Sequence, residues 1–423
     1  MGKEQTLPVK LDMNKKISVL VVVILLAICA SLAVGLAVNH IQMKDRDVNL
    51  SASDTDNRFL KTKETEIVNQ DGEKVYLRGV NAGGLFVQEE WMCPTSLDDH
   101  LRMIQTLTAR FGYEKSMALI EVYESNWWTE KDFDNVKSLG FNLIRLPFAY
   151  FNLEDENGEL TRFERMDWFI DECDERDIYV ILDLHGAYGS QNGKDHSGDT
   201  LNNDLFTSEE NVEKTIALWE TVARRYKDRS IVAGYDILNE PEGVNGYTNY
   251  VQWNCFDEIY TAIRAVDSEH IIIMESVWEV KNLPTPSVYD WENVVYEYHN
   301  YCWDNYGDYG TQKDFVDKKI DDYERAFKKN YHNVPIFIGE WTGFTNADVW
   351  KYTIDEYNHL GLHWSVWTYK VALENNTWGF MNVKCDKVDL LNDSYEEIER
   401  KWSAINTENC YRNEFVWSVF KAR

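Results

Sequence analysis

Eight short apolar runs recur along this chain and alternate with longer amphipathic segments, and this alternation restricts the fold more than any other feature. Each run is continuous and apolar, as expected of a strand buried on both faces of a sheet. The runs span residues 75–81, 141–147, 179–185, 232–239, 270–276, 294–299, 335–340 and 363–368. The amphipathic segments include 211–226, 247–266, 313–328 and 347–360. Eight strands alternating with helices predict an α/β fold, a (β/α)8 TIM barrel within residues 67–423.

Two features of the connections bear on this prediction. The link between the fifth and sixth runs, around residues 281–291, has no helical pattern and should be irregular. An open doubly wound sheet is the alternative fold. It is disfavoured because no Gly-x-Gly-x-x-Gly turn follows the first run.

The N-terminus carries an apolar segment, residues 17–38, without a charged side chain. A helix of that length would cross the hydrocarbon core of a bilayer. Four lysines precede it: Lys3, Lys10, Lys15 and Lys16. Positive residues stay on the cytoplasmic side, so we expect a single-pass type II membrane protein whose barrel lies outside the cell or in a lumen. The alternative is a cleaved signal peptide and a secreted protein. The predicted regions are a cytoplasmic tail (1–16), a transmembrane signal anchor (17–39), a flexible stalk (40–66) and the barrel domain (67–423).

The net charge and the aromatic content restrict the class of ligand. The net charge is −29 at pH 7, which disfavours nucleic acid and strongly anionic ligands and favours a neutral one. The chain has 16 Trp and 24 Tyr. These residues fill a large core, and some of them could form flat platforms for sugar rings.

Seven cysteines fit an exported protein, and Cys29 lies in the apolar segment. The other six could form up to three disulfides or could remain buried thiols. They are Cys93, Cys173, Cys255, Cys302, Cys385 and Cys410. No Cys-x-x-Cys pair occurs, which disfavours a metal site.

Two glutamates end apolar runs in distant parts of the chain: Glu240 follows the fourth run and Glu340 ends the seventh. A carboxylate at the end of a buried strand is costly unless it is paired or used. In a (β/α)8 barrel the carboxyl ends of all strands meet at one face, so both carboxyls should face one cleft. Such a pair can supply a proton donor and a nucleophile or base for cleaving a glycosidic bond. Other strand ends carry Arg145, His185, Asn239, His299, Tyr301 and Trp367.

Four segments resemble glycoside hydrolase family 5, a family of retaining (β/α)8 β-glycosidases, and the similarity runs from about residue 75 to residue 370. The segments are Leu238-Asn239-Glu240-Pro241, Ile338-Gly339-Glu340-Trp341, Leu143-Ile144-Arg145-Leu146-Pro147 and His299-Asn300-Tyr301.

The resemblance implies a role for each strand-end residue. Glu240 would be the general acid/base, with a raised pKa. Glu340 would be the nucleophile, kept ionised by Arg145 and a hydrogen bond from Tyr301. The carboxyl groups should lie about 5–5.5 Å apart, the retaining geometry. The remaining roles concern the sugar: Asn239 would bind its 2-hydroxyl, His185 and His299 would line its subsite, and Trp367 would form the floor.

The substrate is less narrowly indicated. The loop 183–198 resembles the exo-1,3-β-glucanase branch of the family, whereas the ends of the fourth and eighth strands resemble cellulases and glycolipid-cleaving members. We therefore expect hydrolysis of β-1,3- or β-1,4-glucosidic bonds in a neutral glucan. An endoglycoceramidase- or glucosylceramidase-like hydrolase, a transglycosylase, a non-catalytic carbohydrate-binding barrel and a membrane-tethered adhesion protein remain alternatives. We expect no cofactor, and no metal, because Asp183, His185 and His196 lack a recognisable ligand spacing.

Overall fold

The structure is a computed structural model that describes residues 58–242, 249–329, 332–374 and 376–421. The predicted cytoplasmic tail and the predicted anchor at 17–39 lie outside the described residues. Within the described residues, no helix combines the length and apolar character needed to cross a bilayer.

Eight parallel strands close into a barrel, in which each strand pairs with its neighbours in sequence and the last pairs with the first. All eight coincide with the eight apolar runs, so the predicted barrel is confirmed. The strands are β1 (Arg78–Asn81), β2 (Leu143–Ala149), β3 (Tyr179–Gly186), β4 (Val232–Asp236), β5 (Ile271–Glu275), β6 (Val294–Asn300), β7 (Ile336–Trp341) and β8 (His363–Val366).

Helices follow the strands and supply the outer layer of the barrel. They are α1 (His100–Phe111), α2 (Tyr113–Trp127), α3 (Glu130–Ser138), α4 (Tyr150–Leu153), α5 (Glu164–Glu175), α6 (Glu209–Tyr226), α7 (Asn249–Val266), α8 (Tyr309–Lys328), α9 (Ala347–Leu360), α10 (Tyr395–Ser403) and α11 (Glu414–Lys421). The link from β5 to β6, described throughout, holds only two short 3-10 helices at Val280–Asn282 and Pro286–Val288. Its predicted irregularity is therefore confirmed.

A β-hairpin closes the bottom of the barrel, at the amino ends of the strands. Its strands, Lys61–Lys63 and Glu66–Val68, pair antiparallel. Leu60 and Ile67 are buried against barrel residues such as Phe337. The predicted flexible stalk (40–66) is therefore wrong at its C-terminal end, because residues 58–66 fold with the barrel. The hairpin forms because the bottom of the barrel interior is apolar and needs an apolar cover.

All six cysteines in the described part of the chain are free thiols, and none of the disulfides that the sequence allowed is present there. Four of them, Cys93, Cys173, Cys255 and Cys302, are buried. They behave as small apolar side chains in the packing, which was the alternative reading of the sequence.

The upper half of the barrel interior is acidic, in contrast to its apolar bottom. Asp183, Asp236, Glu275 and Glu297 point inward from four successive strands and are completely buried. Four buried carboxyl groups need a cation or protons to be tolerated. This acidic layer lies directly beneath the carboxyl ends of the strands.

Candidate active site

A pocket of about 430 Å³ opens at the carboxyl ends of the strands. It has the size of a small-molecule site, and Trp and Tyr side chains share its lining with about as many polar ones. Its lining residues are Glu89, Trp91, His185, Lys194, His196, Asn239, Glu240, Trp278, Tyr301, Trp303, Glu340, Trp367 and Trp378. Both glutamates singled out in the sequence therefore face the same cavity.

Glu240 follows β4 in a constrained backbone conformation. Its φ is 40°, in the left-handed region that residues with a Cβ rarely adopt. The backbone N–H donates to Glu275 Oε2 at 2.5 Å, which holds the turn in place. Strain of this kind concentrates at functional sites, where the surrounding structure keeps a side chain in one position.

Glu340 owes its position to a β-bulge in β7. The register between β7 and β6 shifts between Ile338 and Glu340, and a bulge re-aims the side chain that follows it. Gly339 occupies the bulge because a Cβ there would lie 1.4 Å from Glu297 Oε1. The sequence Ile-Gly-Glu-Trp thus reflects close packing of the strand against the acidic layer.

Arg145 lies beneath the pocket and connects the acidic layer to Glu340. Its side chain is completely buried. The guanidinium lies 2.9 Å from Asp183, 2.7 Å from Asp236, 3.2 Å from Glu297 and 3.1 Å from Glu340. Burial acts to lower the pKa of Arg145, but these carboxylates hold it well above its ordinary value. Arg145 therefore stays charged and compensates several buried acids at once.

The protonation of the acidic layer follows from burial. Burial raises the pKa of Asp183 to about 6, against the lowering effect of Arg145. Burial also raises the pKa values of Glu275 and Glu297 well above the ordinary range. The raised pKa values favour the neutral forms of these two carboxyls, which limits the negative charge beneath the pocket.

Tyr301 and His299 contact the two pocket glutamates. The Tyr301 hydroxyl donates to Glu340 Oε2 at 2.8 Å. Burial and the nearby Glu340 raise the pKa of Tyr301, so the hydroxyl keeps its proton. His299 Nδ1 lies 2.7 Å from Glu240 Oε1 and 3.5 Å from Glu340 Oε2. His299 is completely buried and contacts both carboxylates from below the pocket. The sequence predicted that His299 lines the sugar subsite, but it is not among the residues that line the pocket.

The expected raised pKa of Glu240 is wrong for this structure. Burial acts to raise the pKa, but hydrogen bonds and positive charge from His196 and His299 outweigh it and hold the pKa of Glu240 well below its ordinary value. The sequence could not reveal this, because His196 comes from a loop between β3 and α6 and meets Glu240 only in the fold. Its Nε2 lies 3.2 Å from Glu240 Oε2.

The three remaining predicted residues all line the pocket. Asn239 Oδ1 accepts from Arg145 at 2.8 Å, and its buried Nδ2 has no partner among the described residues. This amide is therefore oriented and free to donate to a ligand hydroxyl. Burial lowers the pKa of His185 to about 3 and keeps the ring neutral. Its Nδ1 lies 2.7 Å from Asp183 Oδ2, and a carboxylate oxygen there favours the tautomer with the proton on Nδ1. Trp367 stacks on His185 with the ring centroids 5.4 Å apart.

Ligand atoms of Glu240, Glu275 and His299 lie within 4.8 Å of one another, a spacing that a metal ion could use. Glu275 Oε2 accepts from Glu240 N, and Glu240 Oε1 faces His299 Nδ1 at 2.7 Å. Glu275 Oε1 has no hydrogen-bond partner among the described residues. The absence of a metal or cofactor from the reaction therefore stays a prediction.

Comparison with known proteins identifies the family. The family model for cellulase (glycosyl hydrolase family 5) matches residues 108–372, more than half of the chain. The chain belongs to glycosyl hydrolase family 5. The resemblance in the sequence is thereby confirmed, and the protein is an O-glycosyl hydrolase.

Similar proteins and a similar solved structure agree with this assignment. A beta-xylosidase of Phanerodontia chrysosporium is 29% identical over 345 residues, which cover 74% of this chain and 71% of that protein. A probable glucan 1,3-beta-glucosidase A of Aspergillus fumigatus is 30% identical over 283 residues, which cover 63% of this chain and 65% of that protein. The rutinosidase structure from Aspergillus niger matches with a TM-score of 0.59 at 15% identity and covers 72% of this chain and 92% of that one. The last similarity shows the fold alone.

This family 5 chain has pocket residues for which the strand-end pattern assigned no role. His196, Lys194 and Glu89 reach the cavity from loops, and Trp278, Trp303 and Trp378 surround its mouth. Glu89 accepts a hydrogen bond from the Trp91 indole at 2.7 Å, and burial raises the pKa of Glu89 to about 8. For Lys194 and His196 a sequence signal did exist, because the loop 183–198 is Gly-rich and polar, but that composition does not specify which side chain turns inward.

Proposed function

We propose that this chain is a retaining glycoside hydrolase that cleaves β-glucosidic bonds in a neutral β-1,3- or β-1,4-glucan through a covalent glycosyl-enzyme. The observation that carries the proposal is the shared contact of Glu240 and Glu340 with His299 Nδ1, at 2.7 and 3.5 Å. One atom within reach of both carboxylates forces them to lie close together.

The shared contact bounds the distance between the catalytic carboxyls. The two oxygens that face His299 Nδ1 cannot lie farther apart than the two contact distances combined, about 6 Å. Inverting enzymes need about 6.5–9.5 Å to admit a water molecule, whereas retaining enzymes need about 5–5.5 Å. The close approach of these two oxygens supports the retaining arrangement, in which one carboxylate attacks the sugar directly.

The contacts of each glutamate support different roles in this mechanism. Glu340, held by Arg145 and Tyr301, attacks the anomeric carbon as the glycosidic bond breaks. Glu240 protonates the departing oxygen and later takes a proton from the water that releases the sugar. Asn239 donates its free Nδ2 to the 2-hydroxyl, a contact that strengthens in the transition state.

Pocket chemistry supports a neutral carbohydrate as the substrate. Trp367 and His185 offer flat faces at the base of the pocket, and Trp303 and Trp278 extend the aromatic surface to its mouth. The C–H faces of pyranose rings pack on such surfaces. The names of the relatives, glucan 1,3-beta-glucosidase and beta-xylosidase, support a β-linked glycan.

A β-glycoside with an apolar aglycone is a second candidate substrate, which would make the chain a glycolipid hydrolase. It is favoured by the exposed aromatic side chains beside the pocket. Trp303 is 57% exposed and Tyr306 is 48% exposed, and exposed apolar surface next to a site marks binding of an apolar group. Parallel assays on laminarin, carboxymethylcellulose and a glycosphingolipid separate the two substrates.

Substitution of the nucleophile tests the mechanism. Glu340→Gln should lower kcat by at least about 10³-fold without unfolding the protein, because a neutral amide cannot form the glycosyl-enzyme. The matched control Glu90→Gln, at an exposed carboxylate, should keep full activity. With Glu340→Ala, azide should restore turnover of an activated aryl β-glucoside and give the α-glycosyl azide. Full activity of Glu340→Gln would contradict the assignment.

We further propose that the segment 17–39 anchors the protein in a membrane, with the hydrolase domain outside the cell or in a lumen. The support is the uncharged apolar sequence preceded by lysines. The full chain should stay in the membrane pellet after alkaline carbonate washing, and a Val22→Asp/Leu25→Asp variant should not. Recovery of the unaltered chain as a shortened soluble protein would instead indicate signal cleavage.

A further inference from the structure

We propose that His196 is a positioning residue that shares one proton with Glu240 and returns it to that carboxyl for the first chemical step. The inference rests on the proposed function, since it concerns how Glu240 works as the acid/base. It adds a loop histidine to the residues found at the strand ends.

His196 is placed beside the one oxygen of Glu240 that can face substrate. Glu240 Oε1 is occupied by His299 Nδ1 at 2.7 Å. Glu240 Oε2 lies 3.2 Å from His196 Nε2, and both residues line the pocket. A proton on Oε2 is therefore within reach of both the imidazole and a glycosidic oxygen bound in the pocket.

The loop that carries His196 is fixed in this position. A short 3-10 helix, Asp195–Ser197, presents the ring, and the hydroxyls of Ser190 and Ser197 lie 2.8 Å apart across the loop. Asn192 Nδ2 donates to Glu240 O at 3.1 Å, which joins the loop to the turn after β4. The loop therefore holds His196 against Glu240, because Asn192 on the same loop is hydrogen-bonded to the backbone of that glutamate.

Negative groups surround His196 and favour its protonated form. The charged or titratable groups that face it are Glu240, Glu89, Glu340, Asp183, His185 and, at 3.9 Å on its own loop, Asp195. Burial acts to lower the pKa of His196, but a hydrogen bond to Glu240 and the nearby Glu89 and Glu340 raise it to about 9. The pair thus holds a single proton over a wide range of pH.

Asn192 disfavours the protonated form of His196. Its Oδ1 accepts from Lys194 N at 2.9 Å, which fixes the orientation of the amide. Its Nδ2 then lies 2.9 Å from His196 Nε2. An N–H donor aimed at Nε2 disfavours a proton on that nitrogen. The opposing influences of Asn192 and the carboxylates bring the two positions of the proton closer in free energy, as transfer within the pair requires.

The proton shared by His196 and Glu240 is used and restored once in each turnover. In the resting enzyme the proton lies on His196 and Glu240 is a carboxylate. When substrate fills the pocket, the proton passes to Glu240 Oε2 and then to the departing oxygen, as Glu340 bonds to the anomeric carbon. In the second step, water attacks that carbon and the bond to Glu340 breaks. The proton released by the water passes to Glu240 and back to His196.

The test compares two variants with opposite expected effects on the pH profile of kcat/KM. In His196→Gln the alkaline limb should move to lower pH by at least about one unit, because the proton is then held by Glu240 alone. In Asn192→Asp the limb should move to higher pH, because the new carboxylate stabilises the imidazolium. An unchanged limb in His196→Gln, or shifts of both variants in the same direction, would overturn the proposal.

Leaving-group dependence provides the second readout. His196→Gln should lower kcat/KM by about 10²-fold for an aryl β-glucoside with a poor leaving group. It should change by less than about 3-fold for the dinitrophenyl glycoside, which departs without a proton. Equal losses on both substrates would indicate a merely structural role and contradict the proposal.

Two controls separate failure of this proposal from failure of the proposed function. Tyr188→Phe alters the same loop at a hydroxyl that donates to Glu154, and its pH profile should match that of the unaltered protein. If the unaltered protein hydrolyses no β-glycoside, the proposed function fails. If it hydrolyses the dinitrophenyl glycoside and His196→Gln keeps the original profile, only the role of His196 fails.

Discussion

At the residue scale, one buried cation determines how the site is organised. Arg145 contacts Asp183 and Asp236 in the acidic layer and Glu340 and Asn239 in the pocket. A buried guanidinium with several partners is rigid, and a rigid first contact orients the groups that bind substrate. Arg145 therefore links the stability of the barrel to the geometry of catalysis.

We expect Arg145→Met to unfold more readily and to do so in a pH-dependent way. Removing one partner from a buried charge cluster costs about 3–5 kcal/mol. The pKa of Asp183 is about 6 in the fold, above the ordinary value of about 3.9. A raised folded pKa gives stability below about pH 4 that is lost as pH rises through about 6.

Without Arg145 the folded pKa of Asp183 should rise further, so the destabilisation should be larger at pH 8 than at pH 5. Urea unfolding at both pH values measures this difference. Arg224→Met, at an exposed ion pair on α6, should change stability by less than about 0.5 kcal/mol at either pH. An equal loss for Arg145→Met at both pH values would count against the compensating role of Arg145.

At the scale of elements, the bulge in β7 determines where Glu340, the proposed nucleophile, lies. In Gly339→Ala the new Cβ would meet Glu297 Oε1 at 1.4 Å, so either Glu297 or the strand must move. We expect kcat/KM to fall by at least about 10²-fold, because small displacements of a catalytic group have large effects. Steady-state kinetics measure it, with Gly307→Ala as the control, where the nearest atom would lie 3.6 Å away. Normal kinetics for Gly339→Ala would exclude this role of the bulge.

The hairpin beneath the barrel should contribute to the stability of the folded domain. Leu60 is 2% exposed and packs with the apolar bottom of the barrel. Leu60→Ala should lower the free energy of unfolding by about 2–5 kcal/mol, whereas the exposed Lys63→Ala should have little effect. Denaturant unfolding measures both. Equal stability of the two variants would mean that the hairpin is not part of the folded unit.

At the scale of the whole molecule, the sequence predicted the barrel well because strands of a parallel barrel are buried on both faces. Their apolar runs are visible without any knowledge of contacts. Glu240 and Glu340 were also predictable, since each directly follows or ends such a run. The hairpin at 61–68 was missed, because its strands are three residues long and mostly polar.

Side-chain relations across the barrel could be predicted only in part. The acidic layer left a signal: Asp183 and Glu297 each precede a histidine by two residues, so both side chains face the same side of a strand. The contact of His196 with Glu240 left none, because it depends on how a 3-10 turn is placed in space. The pKa of Glu240 depends on that contact, which explains why its expected direction was wrong.

The most direct test of a retaining β-glycosidase is the anomer that it releases first. Proton NMR can follow the anomeric signals while the enzyme hydrolyses an aryl β-glucoside or laminarin. The mechanism drawn from Glu240 and Glu340 predicts that the β-anomer of the product appears first and that the α-anomer grows later by mutarotation. Initial release of the α-anomer would contradict it.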